Sequence, residues 1–282
     1  MTHTSLLIKQ LRTEMQYRNY SPSTVKTYVH LLENFQKSIS VALDKADTDM
    51  LKSYLQKKIE QDDISTSMIN QLISAYKILQ VDILKRSWET VKLKRPRRNK
   101  KLPVVLSLAE IESLFNATKN IKHKALLMLT YSAGLRRKEL QFIKPSAIDP
   151  GRMQIHVVQG KGKKDRFTIL SPKILEYLRF YFKTERPKVY LFESQVKKGQ
   201  YLSEQTLNSI IKKSAEKAGI KKKVSFHTLR HCFATHLLEQ GVSLRLIQAY
   251  LGHSSIRTTS VYLHLANTNP AFVTSPLDKM NV

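Results

Sequence analysis

The chain has 282 residues, of which 41% are hydrophobic and 25% charged, a composition typical of a soluble globular protein. Its longest apolar runs, such as residues 125–129 (ALLML), fall far below the roughly 18 residues that a membrane helix needs, and its first residues lack the apolar core of a secretory signal. The one cysteine, Cys232, cannot form an internal disulfide, so we expect a cytoplasmic protein without a membrane partner.

Positive charge is the strongest feature of the composition. The chain has 48 Lys and Arg residues against 22 Asp and Glu, a net charge of +26. The excess is uneven: residues 1–91 carry 12 basic and 10 acidic side chains, residues 92–103 carry 7 basic and no acidic ones, and residues 104–282 carry 29 against 12. Such a field predicts a polyanionic partner, and nucleic acid is the commonest one.

The first ninety-one residues are predicted to form a small bundle of amphipathic helices. Ser21 and Pro22 are the N-cap and first-turn residues of one helix, and Ser65 begins another. Apolar residues recur at helical spacing on all four predicted helices. On the three helices other than the one that begins at Ser21, the residues expected to face the core are Leu7, Leu11, Met15, Leu51, Tyr54, Leu55, Ile59, Met68, Leu72, Tyr76 and Leu79.

Residues 92–103 (KLKRPRRNKKLP) break the helical pattern with two prolines and a block of like charge, which predicts an extended linker. The linker is either a solvated tether or a strap along phosphates, and the basic domain that follows favours the strap. The residues expected to contact the nucleic acid are Lys92, Lys94, Arg95, Arg97, Arg98, Lys100 and Lys101.

Residues 104–282 are predicted to form a second, mostly helical domain with a small antiparallel β element. Two β-rich runs, 153–158 and 166–170, are joined by the Gly/Lys sequence QGKGKKD and predict a hairpin. The predicted helices of this domain are 107–118, 121–132, 135–143, 172–184, 204–218, 227–240, 243–251 and a last one containing SIRTTSVYLHL. The fold class is therefore mainly α.

The segment 227–231 (HTLRH) lies in a predicted helix, so His227, Arg230 and His231 share one face. The motif lacks the adjacent glutamate of the zinc motif HExxH, and Arg230 would place a cation among the ligands, so we expect no metal. His231 and the nearby His236 are interpreted as buried residues bonded to the backbone. His227 and Arg230 remain for chemistry on an anion.

Three motifs then occur in a fixed order. They are GLRRKEL (134–140), the hairpin with its GKG loop, and HTLRH followed by LGHSSIRTTSVYLH (251–264), in which Tyr262 lies nine residues after His253. This combination resembles the tyrosine recombinases, the phage-integrase family that includes the Xer and integron integrases. The resemblance is close over residues 104–265. The N-terminal helices resemble the family's SAM-like core-binding domain in kind only.

The resemblance implies a catalytic domain that cuts DNA through a 3′-phosphotyrosyl intermediate, without metal or cofactor. Tyr262 would be the nucleophile, because a tyrosine hydroxyl can form covalent intermediates. Arg136 and Arg230 would hold the phosphate oxygens, with His227 and His253 as further donors. Lys161 would be the general acid, although Lys163 and Lys164 compete for that role. Glu139 and His231 are the supporting residues, Glu139 by orienting Arg136.

The resemblance also implies a tetramer on two DNA sites, with the tail from about Asn267 docking on a neighbouring protomer, which is either an identical chain or a paralogue. Two alternatives remain open on the sequence. A type IB topoisomerase would use the same chemistry to relax DNA alone. A DNA-binding protein of the same fold would not cut at all, but all six proposed catalytic positions are occupied by competent residues.

Overall fold

A computed structural model describes residues 3–62, 64–87, 93–96, 102–158, 165–197 and 199–266. The chain divides into two compact units, Met1–Lys100 and Lys101–Val282. Both units consist mainly of helices, and one three-stranded antiparallel sheet lies in the second, which confirms the predicted fold class. None of the helices within the described ranges is long and apolar enough to cross a membrane.

Four helices form the described part of the first unit. They are α1 (His3–Tyr17), α2 (Pro22–Lys37), α3 (Thr48–Asp62) and α4 (Thr66–Lys77), and a π-helical segment, Ile78–Ile83, extends the last of them. Both predicted N-caps are confirmed, because the Ser21 side chain accepts from the Thr24 amide and the Ser65 side chain accepts from the Met68 amide. The local sequence thus sets where these helices begin.

Two residues expected in the core of the first unit are exposed instead. Ile59 is 53% exposed and Met68 is 40% exposed. Ile59 lies one turn beyond Leu55, the last buried residue of α3. On α4 the buried stripe begins at Ile69, so the adjacent Met68 is rotated by about 100° away from the core.

The predicted linker begins as part of the first unit. Leu93 is buried in that unit's core, and the Arg95 guanidinium donates to Asn70 O at 3.0 Å and to Ser74 Oγ at 3.1 Å on α4. Lys94 is exposed. Lys92, Arg97, Arg98, Lys100 and Lys101 lie outside the described residues, so residues 93–96 are the described part of the predicted linker.

The second unit contains eight helices and three strands among its described residues. In chain order they are α5 (Leu108–Ala117), α6 (Ile121–Ala133), α7 (Arg137–Phe142), β1 (Ile148–Asp149), β2 (Gln154–Val157), β3 (Arg166–Ile169), α8 (Pro172–Glu185), α9 (Glu204–Lys217), α10 (Phe226–Glu239), α11 (Leu244–Leu251) and α12 (Ile256–Thr259). Short 3₁₀ segments, Pro145–Ala147 and Ser260–His264, precede β1 and follow α12.

The predicted hairpin is confirmed as the antiparallel pair β2–β3, with Gln154 opposite Ile169 and Val157 opposite Arg166. A third strand, β1, pairs with the other edge of β2. It was not predicted, because a two-residue strand is too short to show an alternating pattern. The hairpin loop, residues 159–164, lies outside the described residues.

Helix α10, which carries HTLRH, runs through the core of the second unit. Its Leu229, Cys232 and Phe233 are buried, and the Cys232 sulfur accepts a hydrogen bond from the Leu106 amide at 3.2 Å. His236 lies 3.0 Å from Leu106 O through Nε2 and 2.8 Å from the Tyr131 hydroxyl through Nδ1. The interpretation of His236 as a buried histidine bonded to the backbone is therefore confirmed.

Gly134 ends α6 in a left-handed conformation, with φ of 61°. A Cβ atom at this position would lie 2.4 Å from Cδ1 of Phe233 on α10. The glycine thus lets the chain leave α6 sharply while α10 packs directly on the turn. This turn delivers the next residues of the GLRRKEL motif.

We expect Gly134→Ala to lower the free energy of unfolding by about 2–4 kcal/mol, because left-handed strain and the clash with Phe233 add together. Urea unfolding followed by circular dichroism measures the loss. Gly219→Ala is the matched control: its φ is 71°, and nothing lies within 4 Å of its added Cβ. That control keeps only the backbone strain, so equal losses in the two variants would refute the packing explanation.

Candidate active site

Arg230 is a fully buried guanidinium at the centre of the second unit. Its two terminal nitrogens donate at 2.6 Å to Gly134 O and Leu251 O, carbonyls at the C-terminal ends of α6 and α11. Such carbonyls lack partners within their own helices and carry partial negative charge, so they suit a cation. Burial, with Arg136 nearby, lowers the pKa of Arg230 to about 9, and the side chain stays charged at neutral pH.

Arg136 and Glu139 form the predicted ion pair at the start of α7. The Arg136 amide donates to Glu139 Oε2 at 2.8 Å, and Arg136 Nη1 donates to Oε1 at 2.7 Å. The other terminal nitrogen of Arg136 donates to Gly252 O at 3.1 Å. Glu139 therefore fixes both the backbone and the side chain of Arg136.

Arg166 is a site residue that the sequence analysis missed. From the first position of β3 it makes two bonds of 2.7 Å to the Glu139 carboxylate and one of 2.7 Å to Tyr250 O. A Cβ atom on Gly252 would lie 2.6 Å from Arg166 Cδ, so the glycine makes room for this side chain. The alternation of side chains along a strand could have indicated this residue, because Arg166 is two residues before the buried Thr168 and shares its face.

The arginine cluster, which we define as Arg136, Arg166 and Arg230, shares one carboxylate. Burial by itself would raise the pKa of Glu139, but hydrogen bonds and charge from Arg166, with help from Arg136, lower it to about 2. Glu139 also lies 3.8 Å from Arg230 Nη1. Three cations therefore face one anion, and the cluster keeps an excess of two positive charges.

The cluster also keeps an unused donor. Among the described residues, the buried Nε of Arg230 has no hydrogen-bond partner. A buried donor without a partner is costly, and an anion such as a phosphate oxygen would satisfy it. Charge and hydrogen-bonding capacity together suit the site to bind a phosphate.

His253 is bonded on both sides of its ring. Its Nε2 lies 3.2 Å from Arg230 Nη2, and its Nδ1 lies 3.0 Å from the Thr259 hydroxyl. Because a guanidinium can only donate, Nε2 accepts and the ring proton resides on Nδ1, which donates to Thr259. Burial and the nearby arginines lower the pKa of His253 to about 3, so its ring is neutral. In this state Nε2 receives a hydrogen bond and is not free to donate one.

His227 and His231 lie one turn apart on α10, with ring centroids 4.5 Å apart. His227 is exposed, and the surrounding protein and the charge of Arg230 lower its pKa. The interpretation of His231 as a residue bonded to the backbone is wrong. Its Nδ1 lies 3.0 Å from the Tyr262 hydroxyl, because the segment Ser260–His264 places Tyr262 over the stripe that His231 shares with His227.

Tyr262 is only 1% exposed and packs with Phe233, Ile247 and Leu251. Burial raises the pKa of its phenol, while the charges of Arg230 and Arg136 act to lower it. The hydroxyl lies 3.0 Å from His231, the residue that follows Arg230 on α10. Tyr250, the tyrosine that precedes Tyr262 in the chain, is partly buried and packs against the same cluster.

Two sequence predictions concern the general acid and the absence of a metal. Lys161 and its competitors in the hairpin loop lie outside the described residues. Within the described ranges no group of three or more His, Cys, Asp or Glu side chains could hold a metal ion. The chemistry available in the described part of the site is that of arginine, histidine and tyrosine.

The sequence matches two family models. The phage integrase family matches residues 105–269, and the phage integrase N-terminal SAM-like domain matches residues 7–90. A putative integrase/recombinase of Sinorhizobium fredii is 34% identical over 96% of this chain and 88% of its own length. The tyrosine recombinase XerD of Staphylococcus aureus is 31% identical over 94% of this chain and 95% of its own.

Solved structures agree with these matches. The XerA recombinase has a TM-score of 0.55 at 29% identity and covers 94% of this chain and 95% of its own. The XerH recombinase bound to its difH substrate has a TM-score of 0.71 at 24% identity, over 93% of this chain and 81% of its own. A λ integrase dimer bound to a core site has a TM-score of 0.74 at 17% identity, over 96% of this chain and 98% of its own. At their low identities, XerH and λ integrase show that the fold is shared. The chain belongs to the phage integrase family, whose members include the tyrosine recombinases.

Proposed function

We propose that this protein is a site-specific DNA recombinase that cuts and rejoins double-stranded DNA through a 3′-phosphotyrosyl intermediate. The observation that carries the proposal is a buried arginine cluster with two excess positive charges and a free donor on Arg230, which lies on the same helix as the partner of Tyr262. The Tyr262 hydroxyl lies 3.0 Å from Nδ1 of His231, the residue after Arg230. Relatives in the family support it, since XerH and λ integrase were solved bound to DNA.

The phosphate-binding step follows from the donors present. A phosphodiester under attack spreads negative charge over its non-bridging oxygens, and guanidiniums can donate to those oxygens in pairs. Arg136 and Arg230 supply these donors, and His227 lies exposed on the same helix face as Arg230. Arg166 acts through Glu139, which it holds by two bonds while Glu139 holds Arg136. No metal or cofactor takes part in the proposed step.

The covalent step is a displacement at phosphorus. The Tyr262 hydroxyl gives its proton to a neighbouring base as its oxygen forms a bond to phosphorus. The bond from phosphorus to the 5′-oxygen breaks, and that oxygen takes a proton from Lys161. A 5′-hydroxyl from a second strand then attacks the phosphotyrosine and returns its proton to Lys161. The departing Tyr262 oxygen recovers its own proton, so the backbone is rejoined without an external energy source. Strand exchange in this form requires two DNA sites and four protomers, and we propose that the tail from about Asn267 joins neighbouring protomers.

Tyr262→Phe is expected to bind DNA as the parent protein does but to form no covalent complex, because only the nucleophilic oxygen is removed. Denaturing gel electrophoresis of a nicked suicide substrate, on which cleavage cannot reverse, detects the complex. Tyr250→Phe is the matched control and should still form it. Covalent trapping by Tyr262→Phe would remove Tyr262 as the nucleophile.

Lys161→Ala is expected to slow cleavage of an ordinary substrate by about 10²–10⁴-fold, the usual contribution of general acid catalysis. A substrate with sulfur in place of the bridging 5′-oxygen should restore the rate, because a thiolate leaves without a proton. Single-turnover cleavage measures both. Lys163→Ala and Lys164→Ala are the controls from the same loop, and a thio effect confined to one of them would move the acid role to that lysine.

DNA affinity is expected to fall by roughly 10³-fold or more between about 50 and about 200 mM salt, because phosphates neutralised by the protein release counterions. The exposed Lys94 offers a sharper test: Lys94→Ala should reduce the salt slope by about one. Arg95→Ala should change the slope less, since that guanidinium is bonded to α4. Fluorescence anisotropy across a salt series measures the slopes, and a flat response would contradict the phosphate contacts.

A further inference from the structure

The hydroxyl of the proposed nucleophile has a specific partner. Tyr262 Oη lies 3.0 Å from His231 Nδ1, and among the described residues this is the hydrogen bond that the hydroxyl makes. His231 comes one residue after Arg230, so the backbone of α10 carries both a phosphate-binding guanidinium and the group that contacts the phenol. His227, one turn earlier, touches the His231 ring edge-on.

The direction of this bond follows from the charge state of His231. Burial, together with His227 and Arg230, lowers the pKa of His231 to about 4, so the ring is neutral in the resting protein. A neutral imidazole has one acceptor nitrogen, and a phenol is the better donor of the two groups. The bond therefore runs from the Tyr262 hydroxyl to an unprotonated Nδ1, with the ring proton on Nε2.

We propose that His231 is the general base that removes the proton from Tyr262 as its oxygen attacks the scissile phosphorus. The proposal rests on the proposed function. The proton moves from Oη to Nδ1, the bond from Oη to phosphorus forms, and the bond from phosphorus to the 5′-oxygen breaks with that oxygen taking a proton from Lys161. In the rejoining step His231 returns its proton to the departing phenol oxygen.

The surroundings of the pair fit this role. Burial, with His227 and Arg230 nearby, keeps the His231 ring neutral when no DNA is bound. A bound phosphodiester adds negative charge that offsets the new imidazolium. The buried phenol would ionise poorly without a base, since burial raises its pKa. Four ionisable groups act on the pair or on the neighbouring His227. Arg136 comes from the start of α7, His253 follows the end of α11, and His227 and Arg230 lie on α10 itself.

The test compares the parent protein with variants by their rates of single-turnover cleavage from about pH 6 to about pH 9. The nicked substrate carries sulfur in place of the bridging 5′-oxygen, so the leaving group needs no proton and Lys161 does not contribute to the pH profile. His231→Asn is the informative variant. Its amide oxygen can occupy the place of Nδ1 and keep the hydrogen bond and packing, but it cannot take a proton. At neutral pH we expect cleavage to slow by about 10²–10³-fold. The variant's rate should then rise about tenfold per pH unit, because hydroxide now generates the phenolate.

His227→Asn is the matched control, with the same change one turn away. It should slow cleavage without the steep rise with pH, because His227 is assigned to the phosphate. A steep profile in His227→Asn and a flat one in His231→Asn would give the base role to His227 and overturn the proposal. A rate for His231→Asn equal to or above that of the parent would also overturn it, and would show that the contact only holds Tyr262 in place.

The proposed function and the role of His231 as the base can fail separately. If the parent protein forms no covalent complex on the suicide substrate, the proposed function fails. If it does, and His231→Asn follows the parent's pH profile, only the base assignment fails. His231→Ala with added imidazole provides a second measurement: restoration of the rate by the small base supports proton transfer, and a rate that imidazole leaves unchanged at every pH counts against it.

Discussion

The burial of the Arg230 guanidinium is the constraint on which the second unit depends. A cation at 1% exposure needs partners for its donors, and both terminal nitrogens of Arg230 find them in the terminal carbonyls of two helices and the ring of His253. Its Nε is left without a partner among the described residues. Those acceptors come from three places along the chain. Satisfying one side chain therefore brings the end of α6, the end of α11 and the segment after it to a common point.

Glu139 controls how much positive charge remains at that point. It neutralises one of three guanidiniums, and Arg166 and Arg136 compete for its two oxygens. A second carboxylate would stabilise the folded protein by pairing more of this charge, but it would also remove the attraction for a phosphate. The unpaired charge is an instance of a functional site that is less than optimally stable on its own.

The glycines in the two motifs serve the same arrangement. Gly134 and Gly252 end α6 and α11 in left-handed conformations, and each lies where a Cβ atom would overlap a neighbour, Phe233 in one case and Arg166 in the other. The carbonyls of Gly134 and Gly252 accept from Arg230 and Arg136. The glycine in GLR and the glycine in LGH thus allow their own carbonyls to approach the guanidiniums closely, which explains why each glycine lies within two residues of a residue of the candidate site.

Local sequence determined the secondary structure and the identity of most site residues. Caps such as Ser21 and Ser65, the β-rich runs around the GKG loop, and the ordered motifs required no knowledge of packing, because each depends on residues within a few positions of one another. Tertiary structure decided which groups meet. The pairing of Arg166 with Glu139, the bond from Tyr262 to His231, the tautomer of His253 and the docking of Leu93 and Arg95 all join elements far apart in the chain. Periodicity describes which face of one helix or strand is buried. A contact between two elements depends on their rotation and on the distance between them, and both are set only when the whole core packs.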